Sequence, residues 1–231
     1  MNGVSKVVDI TAIREFSKRC LGADVSGHDF LHADQVARLA VDLYLQDQGQ
    51  IQVEDRAAIE AAAYLHDTID DKVVADVEGQ LVRVKQLLSQ SGLKGDQQDL
   101  VVDTILHLSY SANLREHYQL TDLGQYVQDA DRLEALGAIG IARTFAYGGK
   151  VGHPMYDPDL PPVSLQNKDQ YRSHKTTTIN HFYEKLLKLA GQMNTPAGRQ
   201  EGQRRTAFME TFLVEFQKET GALSDPAFRI Q

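Results

Sequence analysis

Three short segments of the sequence concentrate histidine and aspartate. They are His28-Asp29-Phe30-Leu31-His32, His66-Asp67-Thr68-Ile69-Asp70-Asp71-Lys72 and Asp129-Ala130-Asp131-Arg132. Imidazole and carboxylate groups together are common ligands of divalent transition metals in proteins. If the fold brings the three segments together, they predict a metal site.

The second segment carries the strongest signal. His66 and Asp67 end an alanine-rich apolar stretch, where two polar groups are poorly tolerated unless they are paired or bind a metal. On a continuing helix, Asp70 would follow His66 by one turn, and Asp71 would follow Asp67. Three carboxylates beside an imidazole repel one another, and a divalent cation relieves that repulsion. With so many oxygen ligands we favour Mn, with Mg, Co, Ni, Fe and Zn as alternatives.

Each segment also has an ordinary structural interpretation. Asp70 and Asp71 could form a solvated helix end, and His32 could be a surface histidine. Asp131 could belong to a surface charge cluster. Two positions also have rivals within their own segments, since His28 competes with His32 and Asp129 competes with Asp131.

The elements that position these segments are predicted to be helices. No proline precedes Pro154, and four prolines fall between residues 154 and 162. Because proline breaks helix interiors, residues 1–147 are free to be helical and residues 148–172 are predicted to be an irregular loop. Apolar residues recur at helical spacing, and no alternation persists long enough for a strand. Thr195 and Pro196 predict the N-cap and first residue of a late helix.

The sequence therefore predicts an all-α fold of about nine helices in one domain spanning residues 1–231, a length that suits one domain. A core at 20–147 would carry the metal site, and C-terminal helices at 173–220 would pack on it. The net charge of −8 argues against a nucleic-acid polymer as partner. The single cysteine, Cys20, cannot form an internal disulfide. Without an apolar run long enough for a membrane span or a signal peptide, we expect a cytoplasmic protein.

The order His, His-Asp, Asp in a helical chain resembles the HD-domain superfamily of metal-dependent phosphohydrolases. In that family four residues bind one divalent metal, and the resemblance places them at His32, His66, Asp67 and Asp131. It favours His32 over His28 and Asp131 over Asp129. The flanking segments resemble a bacterial subgroup of small HD proteins with nucleoside-triphosphate pyrophosphohydrolase activity. These segments are GHDFLHADQVARLA, AAAYLHDTIDDK, VQDADRLEALGAIGIARTFAYGG and INHFYEKLLKLAGQMNT, and the resemblance covers about residues 20–215.

This resemblance implies an enzyme whose partner is a nucleotide. Asp70 or Asp71 would accept the proton of the attacking water as a general base. Cationic side chains would meet the phosphate oxygens; the candidates are Lys72, Arg143, Lys150 and Lys185. If one helix continued past Asp131, Arg143 would lie about 18 Å along it and hence at the rim of the site. Tyr147-Gly148-Gly149 and the proline-rich stretch would form a lid or base-recognition loop.

Several other functions remain open at this stage. The same site could serve a nucleotide phosphomonoesterase or an alarmone-type hydrolase, whose motif resembles the second segment with Asp70 in place of a glutamate. A non-catalytic nucleotide-binding sensor would be expected to have lost a ligand. A di-iron oxygenase would need a second ligand set, to which Asp70, His107 or His28 could contribute. The sequence is compatible with a homodimer.

Overall fold

A computed structural model describes residues 8–22, 29–71, 73–110, 113, 118–164 and 174–221. Within these ranges the chain forms nine α-helices and no strand. They are α1 (Ile10–Leu21), α2 (Phe30–Gln48), α3 (Val53–Leu65), α4 (Val77–Gln90), α5 (Gly95–His107), α6 (Asp122–Glu134), α7 (Gly137–Val151), α8 (Leu187–Leu189) and α9 (Pro196–Thr220). A 3₁₀ turn (His66–Ile69) follows α3, a π-helical turn (Phe182–Leu186) precedes α8, and a second 3₁₀ turn (Ala190–Gln192) follows it. The predicted all-α fold is confirmed.

Helix α3 lies at the centre of the bundle. Nearly all of its residues after Arg56 are buried, and most of these are alanine. A helix that is apolar on all sides must be enclosed by other elements, and α1, α2, α5 and α6 pack around α3. This enclosure carries the residues that follow α3, His66 and Asp67, into the protein interior.

Helices α2 and α6 pack against each other and against α3. Helix α2 begins after Asp29, whose Oδ1 accepts a hydrogen bond from the backbone N–H of His32 at 2.8 Å. This N-cap fixes His32 in the first turn of α2. His28, the rival of His32, lies outside the described residues.

The chain turns sharply between α6 and α7. Helix α6 ends at Glu134, and α7 begins at Gly137, whose φ of 70° is a left-handed conformation that glycine adopts at little cost. The expectation of one helix running from Asp131 to Arg143 is therefore wrong. Because α7 packs back against α6, Arg143 is not carried away from the metal-site segments.

Helix α7 also extends further than predicted. Tyr147, Gly148 and Gly149 lie in its last turns, and the helix ends at Val151 with Gly152 as its left-handed cap. The prediction that an irregular loop begins at residue 148 is therefore wrong, because glycine weakens a helix without forbidding it. Residues 152–164 are irregular, as predicted, and residues 165–173 lie outside the described ranges.

Helix α9 packs against α2, α6 and α7 and completes the bundle. As predicted, Thr195 is its N-cap, accepting a hydrogen bond from the backbone N–H of Gly198 at 3.0 Å, and Pro196 is its first residue. Buried apolar residues from α1 through α9 form one cluster. None of the helices in the described part of the chain combines the length and the apolar character that a bilayer span requires.

Candidate metal centre

Four side chains from three parts of the fold converge at the interior end of α3. His32 comes from α2, His66 and Asp67 come from the 3₁₀ turn, and Asp131 comes from α6. The Nε2 atoms of the two histidines are 3.3 Å apart. Asp67 Oδ2 lies 3.6 Å from His32 Nε2 and 3.3 Å from His66 Nε2. Asp131 Oδ1 lies 3.3 Å and 3.7 Å from the same two nitrogens.

The spacing of the His32, His66 and Asp67 ligand atoms fits ligation of one cation, and Asp131 Oδ1 lies beside this group, 3.3 Å and 3.7 Å from the two histidine nitrogens. Nitrogen and oxygen ligands at about 2.0–2.2 Å from an ion stand roughly 2.8–3.6 Å from one another in octahedral or tetrahedral geometry. Of the residues that the structure describes, His32, His66 and Asp67 form the one group of three metal-ligating types whose atoms all lie within 4.8 Å of one another. Imidazole and carboxylate donors suit a divalent transition metal.

The ring of His66 is held in the orientation that metal ligation requires. Its Nδ1 lies 2.7 Å from the backbone carbonyl oxygen of Ala63. A carbonyl can only accept, so Nδ1 carries the proton and donates it. In the neutral ring this leaves the lone pair on Nε2, the atom that faces the cluster.

The two carboxylates of the cluster stabilise positive charge on His66. Burial lowers the pKa of His66, but the carboxylates of Asp67 and Asp131 outweigh burial and raise it to about 9. Burial lowers the pKa of His32. Burial raises the pKa of Asp131, but the hydrogen bond from His32 and the charges of both histidines bring it down to about 2. The carboxylates thus attract positive charge to the position that a cation would take.

One side of the cluster opens to solvent. The side chain of Asp131 is 28% exposed, whereas those of His32 and His66 are only 2% and 3% exposed. Arg143, from α7, lies close enough for its charge to help lower the pKa of His32, after the larger effect of burial. An anion that approaches Asp131 from solvent would therefore meet the cluster with a guanidinium nearby.

Asp129 has a different role from Asp131. Two residues apart on a helix, their side chains point in nearly opposite directions. Asp129 is fully buried, and its carboxylate accepts hydrogen bonds of 2.8–3.0 Å from the backbone N–H groups of Asn194 and Thr195 and from the Thr195 hydroxyl. Asp129 therefore holds the start of α9, a role that the sequence analysis missed.

Asp70 and Asp71 lie where the expected helix does not continue. The 3₁₀ turn ends at Ile69, and Asp70 has extended backbone angles of φ −70° and ψ 135°. The assumption that Asp70 follows His66 by one α-helical turn is therefore wrong. Asp70 is half-buried and Asp71 is exposed, and their roles as general bases stay predictions. Lys72 lies outside the described residues.

The other predicted substrate-binding residues and His107 lie on separate elements. Lys150 is exposed near the end of α7. Lys185 lies in the π-helical turn, with its Nζ 4.8 Å from the centroid of the Tyr110 ring. His107 ends α5, where its Nδ1 lies 2.9 Å from the carbonyl oxygen of Asp103. The ring of His107 is partly exposed and stacks on that of Tyr118 at a centroid distance of 3.8 Å.

A known family model matches the middle of the chain, and a bacterial relative matches most of it. The HD domain family model matches residues 29–136, a range that contains all four residues of the cluster. The protein YpgQ of Bacillus subtilis is 32% identical over 208 residues, which cover 90% of this chain and 91% of YpgQ.

Solved structures of related proteins match almost the whole chain. A structure from Lactobacillus plantarum is 39% identical, with a TM-score of 0.79, covering 92% of this chain and 97% of that one. An HD-superfamily hydrolase from Bacillus thuringiensis is 40% identical, with a TM-score of 0.69 and the same coverage of 92% and 97%. YpgQ in complex with ADP is 30% identical, with a TM-score of 0.70, covering 96% and 100%. The resemblance found in the sequence is confirmed: the chain belongs to the HD-domain superfamily of hydrolases.

Proposed function

We propose that this protein is a metal-dependent nucleotide phosphohydrolase that releases pyrophosphate from nucleoside triphosphates. The observation that carries the proposal is the convergence of two imidazole nitrogens and two carboxylates, open to solvent at Asp131 and close to Arg143. The complex of the related YpgQ with ADP supports a nucleotide as ligand.

His32, His66, Asp67 and Asp131 hold one divalent ion in the proposed enzyme. We favour Mn because the donor set mixes nitrogen with anionic oxygen. When bound, such an ion supplies Lewis acidity to a phosphate oxygen and lowers the pKa of a coordinated water. It also reverses the local sign of charge, so that an acidic chain can accept a polyanionic small molecule.

The remaining steps belong to side chains around the cluster. Arg143 donates hydrogen bonds to phosphate oxygens on the open side, and Lys72, Lys150 and Lys185 are further cations for the substrate. Asp70, or its exposed neighbour Asp71, accepts a proton from the attacking water. The water oxygen forms a bond to the α-phosphorus, the α–β anhydride bond breaks, and pyrophosphate leaves with the electron pair of that bond.

The setting of this activity is part of the same proposal. We infer that residues 1–231 act as one domain, with a core at 20–147 and C-terminal helices at 173–220 packed on it. The cytoplasm is the proposed location, because the proposed nucleotide substrates are found there. Homodimer formation stays a prediction.

The test is a nucleotide panel assayed with purified, Mn-loaded protein. Nucleoside mono-, di- and triphosphates are incubated separately, and the products are resolved by anion-exchange chromatography. We expect triphosphates to yield monophosphate and pyrophosphate in equal amounts. Release of single phosphates would instead indicate a phosphomonoesterase, and turnover of guanosine alarmones alone would indicate an alarmone hydrolase.

A matched pair of carboxylate variants on α6 makes the test specific. Asp131→Asn should abolish turnover, whereas Asp122→Asn should leave turnover unchanged because Asp122 is exposed in the first turn of the same helix. If wild-type protein with bound metal hydrolyses no member of the panel, the proposed function is wrong.

A further inference from the structure

A hydrogen bond between two side chains joins α2 to α3 next to the metal centre. The hydroxyl of Tyr64, on α3, donates to Asp34 Oδ1, on α2, at 3.0 Å. Helix α2 carries His32, and α3 leads directly into His66. The bond therefore joins the two elements that carry the histidine ligands of the proposed metal site.

The Tyr64–Asp34 pair and the His32–His66 pair share one antiparallel register. Asp34 stands two residues after His32, and Tyr64 stands two residues before His66. Two residues of α-helix span about 3 Å, so the hydroxyl bond lies within one turn of the histidines, whose Nε2 atoms are 3.3 Å apart. A slip of α3 along α2 by one turn, about 5.4 Å, would break the bond and separate the two imidazoles.

Helix α1 contributes a third side chain to the same carboxylate oxygen. The Nε and one terminal nitrogen of Arg14 each lie 3.3 Å from Asp34 Oδ1. The guanidinium carbon of Arg14 also lies 4.9 Å from the centroid of the Phe30 ring. Because α1 packs against α2, α3 and the 3₁₀ turn, one oxygen of Asp34 connects three helices around the metal-site segments.

The ring of Tyr64 is held on its face as well as at its hydroxyl. Phe30, the first residue of α2, stacks on it with the ring centroids 6.2 Å apart and the planes 8° from parallel. Phe30 and Asp34 are four residues apart and lie on one face of α2. Tyr64 therefore contacts α2 at two positions that bracket His32 in the chain.

The position of His32 in its helix makes this contact important. His32 lies in the first turn of α2, where the backbone N–H groups have no partner within the helix. A side chain in such a turn needs contacts from outside the helix to hold it. Groups that orient metal ligands in this way typically contribute a factor of about 10–100 to metal affinity.

We propose that Tyr64 is a positioning residue for the metal: its hydroxyl bond to Asp34 fixes the register in which His32 meets His66 and thereby sets the affinity of the metal centre. This inference rests on the metal site of the proposed function and does not depend on the hydrolysis of a nucleotide. Arg14 acts with Tyr64, since both donate to the same oxygen of Asp34.

The test measures the dissociation constant of Mn²⁺ for the full-length, metal-free protein by isothermal titration calorimetry. Tyr64→Phe removes the hydroxyl and keeps the ring that stacks on Phe30. We expect the dissociation constant to rise about 10-fold or more.

The matched control is Tyr183→Phe. The hydroxyl of Tyr183 accepts a hydrogen bond from Gln217 Nε2 at 2.7 Å and joins the π-helical turn to α9, two elements that carry none of the proposed ligands. This variant should bind Mn²⁺ as tightly as wild type. Urea unfolding of both metal-free variants completes the comparison, because a purely structural role of Tyr64 would lower stability without changing the affinity for Mn²⁺.

A double-mutant cycle tests whether Tyr64 acts through Asp34. Asp34→Ala removes the acceptor of the hydroxyl bond. Adding Tyr64→Phe to Asp34→Ala should then raise the dissociation constant much less than Tyr64→Phe does in the wild type. An equal effect in both backgrounds would mean that the hydroxyl does not act through Asp34, and the proposed positioning role would be wrong.

The outcomes separate this inference from the proposed function. If Tyr64→Phe binds Mn²⁺ as tightly as wild type, the positioning role is wrong even where nucleotides are hydrolysed. If Tyr183→Phe weakens binding by the same factor, the loss reflects general destabilisation and the positioning role is again wrong. If Tyr64→Phe alone weakens binding but the wild type hydrolyses no nucleotide, the positioning role stands and the proposed function fails.

Discussion

Asp129 and Asp131 are two residues apart on α6, yet one fastens α9 and the other faces His32 at 3.3 Å. The carboxylate of Asp129 is enclosed by donors from Asn194 and Thr195. The carboxylate of Asp131 is partly exposed at the mouth of the metal centre. One helix thus separates a structural carboxylate from a proposed metal ligand.

Substitution of these two residues should have opposite consequences. Asp129→Ala leaves several buried donors without their acceptor, at about 1–3 kcal/mol each, so we expect the free energy of unfolding to fall by about 3 kcal/mol or more. Asp131→Ala should retain the fold but lose the metal. Urea unfolding of metal-free protein and metal content by mass spectrometry measure the two effects.

Added metal provides the control for this pair. A metal present at 100 times its dissociation constant stabilises a folded protein by about 2.7 kcal/mol. The wild type and the Asp129→Ala variant should both gain this stabilisation, and Asp131→Ala should not. If Asp129→Ala instead remains stable and loses its metal, Asp129 is the ligand and the assignment must be exchanged.

Metal binding should release a proton from His66. Its pKa of about 9 in the metal-free cluster means that the ring retains its proton at pH 7.5, whereas a ligating imidazole must be neutral. Deprotonation becomes easier as the pH rises toward 9, so we expect the apparent metal affinity to increase up to about 10-fold per pH unit across that range and to level off above it.

Calorimetry measures this proton directly. Mn²⁺ is titrated into the protein at pH 7.5 in two buffers with different ionisation enthalpies. The difference between the two binding heats should correspond to the release of about one proton per bound ion. The partly exposed His107, whose ring contacts Asp103 and Tyr118, provides a control: the His107→Gln variant should release the same number of protons per ion. Equal heats in both buffers would contradict ligation by His66.

The parts of this structure that depend on neighbouring residues could be predicted from the sequence. The Asp29 cap before His32, the Thr195–Pro196 helix start and the helical periodicity all act within a few residues. The order of His32, His66-Asp67 and Asp131 indicated the cluster because the family resemblance supplied the long-range information.

The parts that depend on distant packing could not be predicted. Asp129 finds its partners 65 and 66 residues away, and no local pattern identifies them. The left-handed Gly137 ends any continuation of α6, and its conformation depends on the return of α7 against α6. Asp70 leaves the helical register because the chain tightens into a 3₁₀ turn after the buried α3.

The end of α7 offers a test of its packing through two adjacent glycines. An added Cβ at Gly148 would lie 2.2 Å from Thr178 Oγ1, whereas an added Cβ at Gly149 meets nothing within 4 Å. Gly148→Ala should therefore lower the free energy of unfolding by about 1–3 kcal/mol through overpacking. Gly149→Ala should raise it by about 0.5–1 kcal/mol, because alanine is the better helix former.

Urea unfolding of the two variants gives this comparison, with each variant as the control for the other. The two residues share one helix and one substitution, so helix propensity contributes equally and the difference reports the contact with Thr178. Stabilisation by both substitutions would mean that α7 does not pack against residue 178. In that case the contact between Gly148 and Thr178, which fixes the end of α7 against the chain that leads into the π-helical turn, would be absent.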